Sequence, residues 1–248
     1  MIRLVLAAML LVLPLAARAQ TEQQALVDRA TLAVQEMLSN GTSSPMVDLL
    51  KRARGALICP RVFRAGFFFG GEGGGCVLVG RAGPQGAPSP AGASPSGTSP
   101  APASGTSPAG APWTDPAFYV MGSGSFGLQI GVQDSEVIFV ILTERGLRAL
   151  LDSQFKIGAD MGIAVATIGA GVQGSTTAAL RADIVAFAQA SGLYAGISLQ
   201  GSILSARSEW NQTYYGQPLS AQQIVLSAQG QNPGAEPLKE MLARFSNG

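Results

Sequence analysis

Five cations fall within fourteen positions: Lys51, Arg52, Arg54, Arg61 and Arg64, with no acid between Asp48 and Glu72. Phe63 sits inside this run, and three consecutive phenylalanines follow at 67–69. Cations beside apolar side chains suit the surface of an anionic membrane, where each basic residue contributes about 1 kcal/mol. Apolar rings at the same place add interfacial burial. The run equally fits an ordinary solvated face, with Lys51 and Arg52 favoured near the C-terminal end of a helix by its dipole. The acids offer less. Glu72, Asp160 and Asp183 stand in apolar, glycine-rich surroundings. A carboxylate pair there can act as acid and base, but such acids more often accept hydrogen bonds from turn amides.

Much chemistry is excluded outright. The chain has no histidine, which removes histidine-based triads, histidine metal sites and histidine acid–base catalysis. No acid cluster has the spacing of a calcium loop, and no G-x-S-x-G elbow is present. Gly122, Gly124, Gly127 and Gly169, Gly171, Gly174 match G-x-G-x-x-G in letters only. Neither opens a full helix after a strand, as a dinucleotide site requires. No cofactor and no metal is implied. Cys59 and Cys76 are the two cysteines. An even count permits a disulfide in an oxidising compartment, and two small buried thiols on neighbouring strands fit as well.

The elements that position these residues begin after a leader. Residues 1–19 carry Arg3, an apolar run from Leu4 to Ala17, and Ala17-Arg18-Ala19 before Gln20. This predicts a secretory signal peptide with an A-x-A cleavage site. The expectation is an exported protein, periplasmic or extracellular, soluble or peripheral on an envelope membrane, with no transmembrane span after cleavage. Without Arg3 and Arg18, 14 basic residues face 15 acidic ones. A nucleic-acid partner is not expected at that balance.

Residues 20–248 read as a single domain. Leu26, Ala30, Ala33, Val34, Met37 and Leu38 recur at helical spacing over 21–39, ended by Asn40-Gly41. Ser44-Pro45 opens a second helix to about Ala53. Residues 56–59 read as a strand stopped by Pro60, and 76–79 as another. Residues 82–112 are a Pro, Ala, Gly, Ser and Thr insert with SGTSPA repeated; it has nothing to bury and should be disordered. It replaces a hairpin loop. Residues 113–143 read as a strand–turn–strand–turn–strand meander, its middle strand alternating Phe126, Leu128, Ile130 and Val132 with Gly and Gln. Thr143 caps a helix to about Asp152. Strands follow at 157–168, at 184–190 and 193–199 as a hairpin, and at 202–207. Helices close the chain at 209–215, ended by Gly216, and at 237–245. The fold class is α+β: a strongly bent antiparallel sheet or partial barrel with flanking N-terminal, middle and C-terminal helices.

Several motifs in order resemble the SYLF domain. They are Arg54-Gly55 with the apolar triplet 56–58 and Pro60, Arg64-Ala65-Gly66-Phe67, Gly70-Gly71-Glu72, Trp113 with Pro116-Ala117-Phe118-Tyr119, and GSFGLQIGVQ from Gly124. Phe155-Lys156, Gly158-Ala159-Asp160, GLYAGISL from Gly192 and Tyr214-Tyr215-Gly216 complete the set. The resemblance spans nearly all of the chain beyond the leader except the insert. It departs at Gly73-Gly74-Gly75, where members often carry an aromatic and an acid, and at Gln200, where many have Glu. The resemblance implies a non-enzymatic module binding anionic phospholipid, phosphoinositide-like, with Lys51, Arg52, Arg54, Arg61 and Arg64 as the lipid-binding candidates. It implies actin contact in some eukaryotic members, which is not expected of an exported bacterial protein. Two other readings stand beside it: an envelope interaction protein using its sheet edge or insert, and a hydrolase using Glu72 and Asp160. Oligomeric state is not legible.

Overall fold

The computed structural model describes residues 13–39, 44–66, 69–82, 111–126, 131–152, 154–158, 163–167, 182–191 and 201–247. Helix α1 (Leu13–Ser39) runs without a break through position 20, where cleavage is expected. Its stripe Leu26, Ala30, Ala33, Val34 and Met37 is buried, as the 3.6-residue period requires. Helix α2 (Ser44–Lys51) follows.

Among the described residues, eight strands form one sheet: β1 (Gly55–Gly66), β2 (Phe69–Gly80), β3 (Ala117–Phe126), β4 (Gly131–Ile141), β5 (Gln154–Lys156), β6 (Ile163–Thr167), β7 (Ile184–Ser191) and β8 (Ile203–Ala206). Their order is β5-β8-β3-β2-β1-β4-β7-β6, curled into a half-barrel. Neighbours are antiparallel except β6 and β7, which are parallel. Helix α3 (Glu144–Leu151) is capped by Thr143, whose hydroxyl accepts from the Gly146 amide. Helices α4 (Ser208–Tyr215), α5 (Ala221–Val225) and α6 (Glu236–Ser246) close the chain. Gly216 ends α4 with φ 69°, a left-handed conformation that favours glycine.

The expected meander is corrected. The described residues of 117–141 form β3 and β4 where three strands were expected, and these two are not neighbours. The β1–β2 hairpin lies between them. Gly122 and Gly124 do not turn the chain but continue β3 opposite Gly73 and Gly71. Phe126 ends β3, while Gly127, Leu128 and Ile130 lie at or among positions outside the described residues. So do Gly169, Gly171, Gly174 and the expected strand 193–199.

Pro60 does not stop β1 either. The pairing of β1 with β4 shifts register between Cys59 and Val62, so both side chains reach the same inner cluster. Proline lacks an N–H and is tolerated within a sheet at such a bulge. Cys59 and Cys76 form a disulfide between β1 and β2, Cα atoms 4.2 Å apart.

Each face of the sheet has a core. Outward, Ala56, Ile58, Val77, Val79 and Phe118 pack against α1, α2 and α6. Inward, Leu57, Cys59, Leu78, Tyr119 and Phe139 fill the concavity against α3 and α5. Complete burial of one such large apolar side chain is worth roughly 1.5–3 kcal/mol.

Candidate functional site

The half-barrel divides the basic run. Lys51 ends α2, Arg52 follows it, and Arg54 directly precedes β1. Arg54 joins the sheet through its backbone: its N–H donates to Ile141 and its carbonyl accepts from Arg81, at 2.7 and 2.8 Å. Arg61 and Arg64 lie further along β1. Ten residues separate Arg54 from Arg64, roughly 30 Å in extended chain.

Arg61 and Arg64 then part company across the sheet. The bulge turns Arg61 outward, where its guanidinium binds Asp134 at 2.9 and 3.1 Å and lies 5.9 Å from the Phe63 ring. Asp134 in return is held below the ordinary carboxylate range by that hydrogen bond. Arg64 turns inward and pairs with Glu72, Nε to carboxylate 3.3 Å. Burial pushes the Glu72 carboxyl up, and the Arg64 charge opposes that. Register places Gln133, Arg64, Glu72 and Ser123 side by side on β4, β1, β2 and β3. Glu72 and Gln133 are buried. Arg64 Nε, Glu72 Oε1 and Gln133 Nε2 make no hydrogen bond.

On the outer face, a groove of 490 Å³ opens where α1 ceases to cover the sheet. Its floor is Gly73, Gly74 and Gly75; Arg29 and Leu26 come from α1, Pro60, Arg61 and Phe63 from β1, and Trp210 from α4. Arg207 stacks on Trp210, 4.3 Å from guanidinium to ring centroid. Among the described residues Arg29 makes no ion pair. Sequence reasoning missed Arg29, Arg207 and Trp210. Arg29 was legible as a cation on the polar side of a strong helix; nothing local joins it to Arg61.

The other flagged acids are structural or undescribed. Asp183 accepts from Thr143 Oγ1 at 2.6 Å and pairs with Arg145, tying the start of α3 to β7. Its carboxyl is held low, first by Arg145 and then by Thr143. Asp160 lies outside the described residues, as do Phe67 and Phe68. Among the described residues no group of three or more Cys, Asp or Glu can hold a metal ion, and no helix is long and apolar enough to cross a membrane.

Residues 122–245 match the family model Ysc84, described as "Las17-binding protein actin regulator". The chain belongs to the Ysc84, or SYLF, family. It is 25% identical over 198 residues to LAS seventeen-binding protein 3 of Saccharomyces cerevisiae, covering 79% of this chain and 37% of that one. It is 26% identical over 199 residues to human SH3 domain-containing YSC84-like protein 1, covering 80% and 50%. Against the rat protein of that name it is 30% identical over 131 residues, 52% and 38%. The chain thus spans half or less of the length of these curated relatives. The family is one of regulators and binding proteins, with no catalytic family indicated. Within the SYLF frame, Tyr214-Tyr215-Gly216 proves to be packing chemistry. Tyr214 meets Phe118 edge-on at 5.0 Å, and Tyr215 donates to the Pro116 carbonyl at 2.6 Å.

Proposed function

We propose that the chain is a non-enzymatic module that binds anionic phospholipid, phosphoinositide-like, at the surface of an envelope membrane. The observation that carries this reading is the groove: Arg29 and Arg61 beside Phe63 and Trp210 over a floor without side chains. Cations there attract lipid phosphate, and the rings and backbone offer apolar contact. Lys51, Arg52 and Arg54 form a second basic group at the other end of β1. The test is co-sedimentation with vesicles of phosphatidylglycerol mixed with phosphatidylcholine, against phosphatidylcholine alone. Binding should require the anionic lipid and weaken as salt rises, because the attraction decays over about 8 Å at physiological salt. Arg29→Gln with Arg61→Gln should lower affinity roughly tenfold or more. Lys51→Gln with Arg52→Gln reports separately on the other group. Salt-insensitive binding, unchanged in both double variants, would exclude the electrostatic mechanism.

The family description favours a second reading, a protein partner on the same face. It predicts that the purified chain ignores both vesicle types.

A further inference from the structure

The described helices cover only one half of the outer face of the sheet. Beyond the bulge, register lays two rows across it. Ile203, Gly122, Gly73, Phe63 and Asp134 lie side by side on β8, β3, β2, β1 and β4. Gly124, Gly71, Ala65 and Val132 form the next row. Directly opposed residues share a face, so all of these point outward with Phe63. The large side chains among them stand open: Val132 is 67% exposed, Phe63 and Ile203 each 41%, and Val120, one row nearer the helices, 37%.

Among the described residues, nothing requires glycine at these positions. A Cβ on Gly71 or Gly124 would meet nothing within 4 Å, and on Gly73 or Gly122 only ordinary contacts at 3.5 and 3.9 Å. Their conformations are not left-handed. Glycine within a strand costs about 0.5–1 kcal/mol relative to alanine. Four such positions on one bare face keep the backbone open to something outside the molecule. That occupant must be broad and flat, tolerate apolar side chains, and complement the cations at the rim, Arg29 in the groove and Arg207 at its edge. The acid in these rows, Asp134, is already held by Arg61. A second copy related by two-fold symmetry would bring the same cations toward one another, which association disfavours.

We propose that this half of the outer sheet face lies flat against an anionic membrane. Gly71, Gly73, Gly122 and Gly124 let the backbone approach the interface, and Val120, Phe63, Val132 and Ile203 enter it. The inference rests on the lipid-binding reading and adds the orientation of the molecule. It is tested with the full chain, its Cys59–Cys76 disulfide intact, carrying one added cysteine labelled with the polarity-sensitive fluorophore NBD. Val132→Cys and Ile203→Cys probe the face; Leu226→Cys, exposed beside α5 on the other side of the sheet, is the control. On vesicles of phosphatidylglycerol and phosphatidylcholine, the two face probes should brighten severalfold and shift to the blue while the control stays as in buffer. Companion variants Gly71→Glu and Gly124→Glu, made singly because the two positions oppose each other across β2 and β3, should each keep the parent melting temperature, since both sites are open, and weaken vesicle binding severalfold. Sedimentation with vesicles but silent face probes, or equal response at Leu226, overturns the orientation and leaves lipid binding standing. Face probes that respond to protein concentration without vesicles assign the face to a second copy and overturn it too. Failure of the parent chain to sediment overturns both readings.

Discussion

Arg64 and Glu72 meet across β1 and β2 with Gln133 and Ser123 at their flanks, inside the half-barrel rather than on its surface. A buried ion pair contributes little net stability while intact, because desolvation offsets the attraction, but removal of one partner strands the other. Arg64→Met should therefore destabilise by roughly 2–3 kcal/mol, toward the low side because its side chain keeps 18% exposure. Arg64→Met with Glu72→Leu should recover much of that loss, as read by urea melts. The Glu72 carboxyl also sets a pH dependence. Its folded pKa is raised, by burial first, against the Arg64 charge. Such a group adds stability that is fully present below its unfolded pKa, about 4.3, and lost as pH rises through the folded value. The parent should gain stability relative to Glu72→Gln as pH falls from neutral toward that value. The opposite trend would mean that Arg64 dominates and the carboxyl sits low. Both residues were visible in the sequence as separate charges, one assigned to lipid and one to possible catalysis. Their pairing was not, because a single-residue shift at the bulge decides which face Arg64 takes.

At the level of elements, helices were legible because their signals are local. Thr143 caps α3 and Gly216 ends α4 as their residue types require. Helix α5 was missed although Ser220 and Gln223 form a reciprocal capping box, a pattern readable as S-x-x-Q. Strand order was not legible. Local runs cannot say that the β1–β2 hairpin separates β3 from β4, or that Pro60 sits in a bulge. The bulge has a steric counterpart. A Cβ on Gly74 would lie 2.1 Å from the Arg61 carbonyl oxygen and 3.2 Å from the Val62 Cα. Gly74→Ala must push β1 away and should cost about 1–3 kcal/mol, beside a disulfide that itself closes a 17-residue separation and is worth about 3 kcal/mol. Gly71→Ala, on the open outer face, should match the parent or exceed it by up to about 1 kcal/mol. Equal losses at the two sites would show that the bulge contact is not what makes glycine necessary at Gly74.

For the whole molecule, the curled α+β architecture followed from patterning, while the candidate site did not. Arg29 and Arg61 are 32 positions apart, and only the packing of α1 on the sheet brings them to one groove. The low-complexity stretch raises the opposite question, of what the fold does not need. β2 and β3 are antiparallel neighbours, and the stretch merely joins them. Its ends, however, belong to the fold. The Ala82 amide donates to the Pro112 carbonyl at 3.0 Å, and Arg81 bridges to Trp113 in the sheet. The buried Arg81 guanidinium lies 4.5 Å from the Trp113 ring and donates to the carbonyls of Ala111 and Leu50 at 3.0 and 3.3 Å. Excising all of 82–112 would therefore remove both partners of a closing pair and one carbonyl partner of a buried cation. The expendable part is 83–110, which has no charge to pair and no large apolar side chain to bury. Because Ala82 already pairs with Pro112 at the mouth of a hairpin, a short loop containing Asn-Gly can join Ala82 to Ala111. That variant should unfold in one cooperative transition within about 0.5 kcal/mol of the parent, or slightly above it, since a shorter loop costs less entropy to close. Its vesicle binding should be unchanged, because the groove and the glycine-floored face lie elsewhere on the sheet. A broad or strongly lowered melt would show that the stretch packs on the core, and a selective loss of binding would move the membrane contact onto the stretch itself.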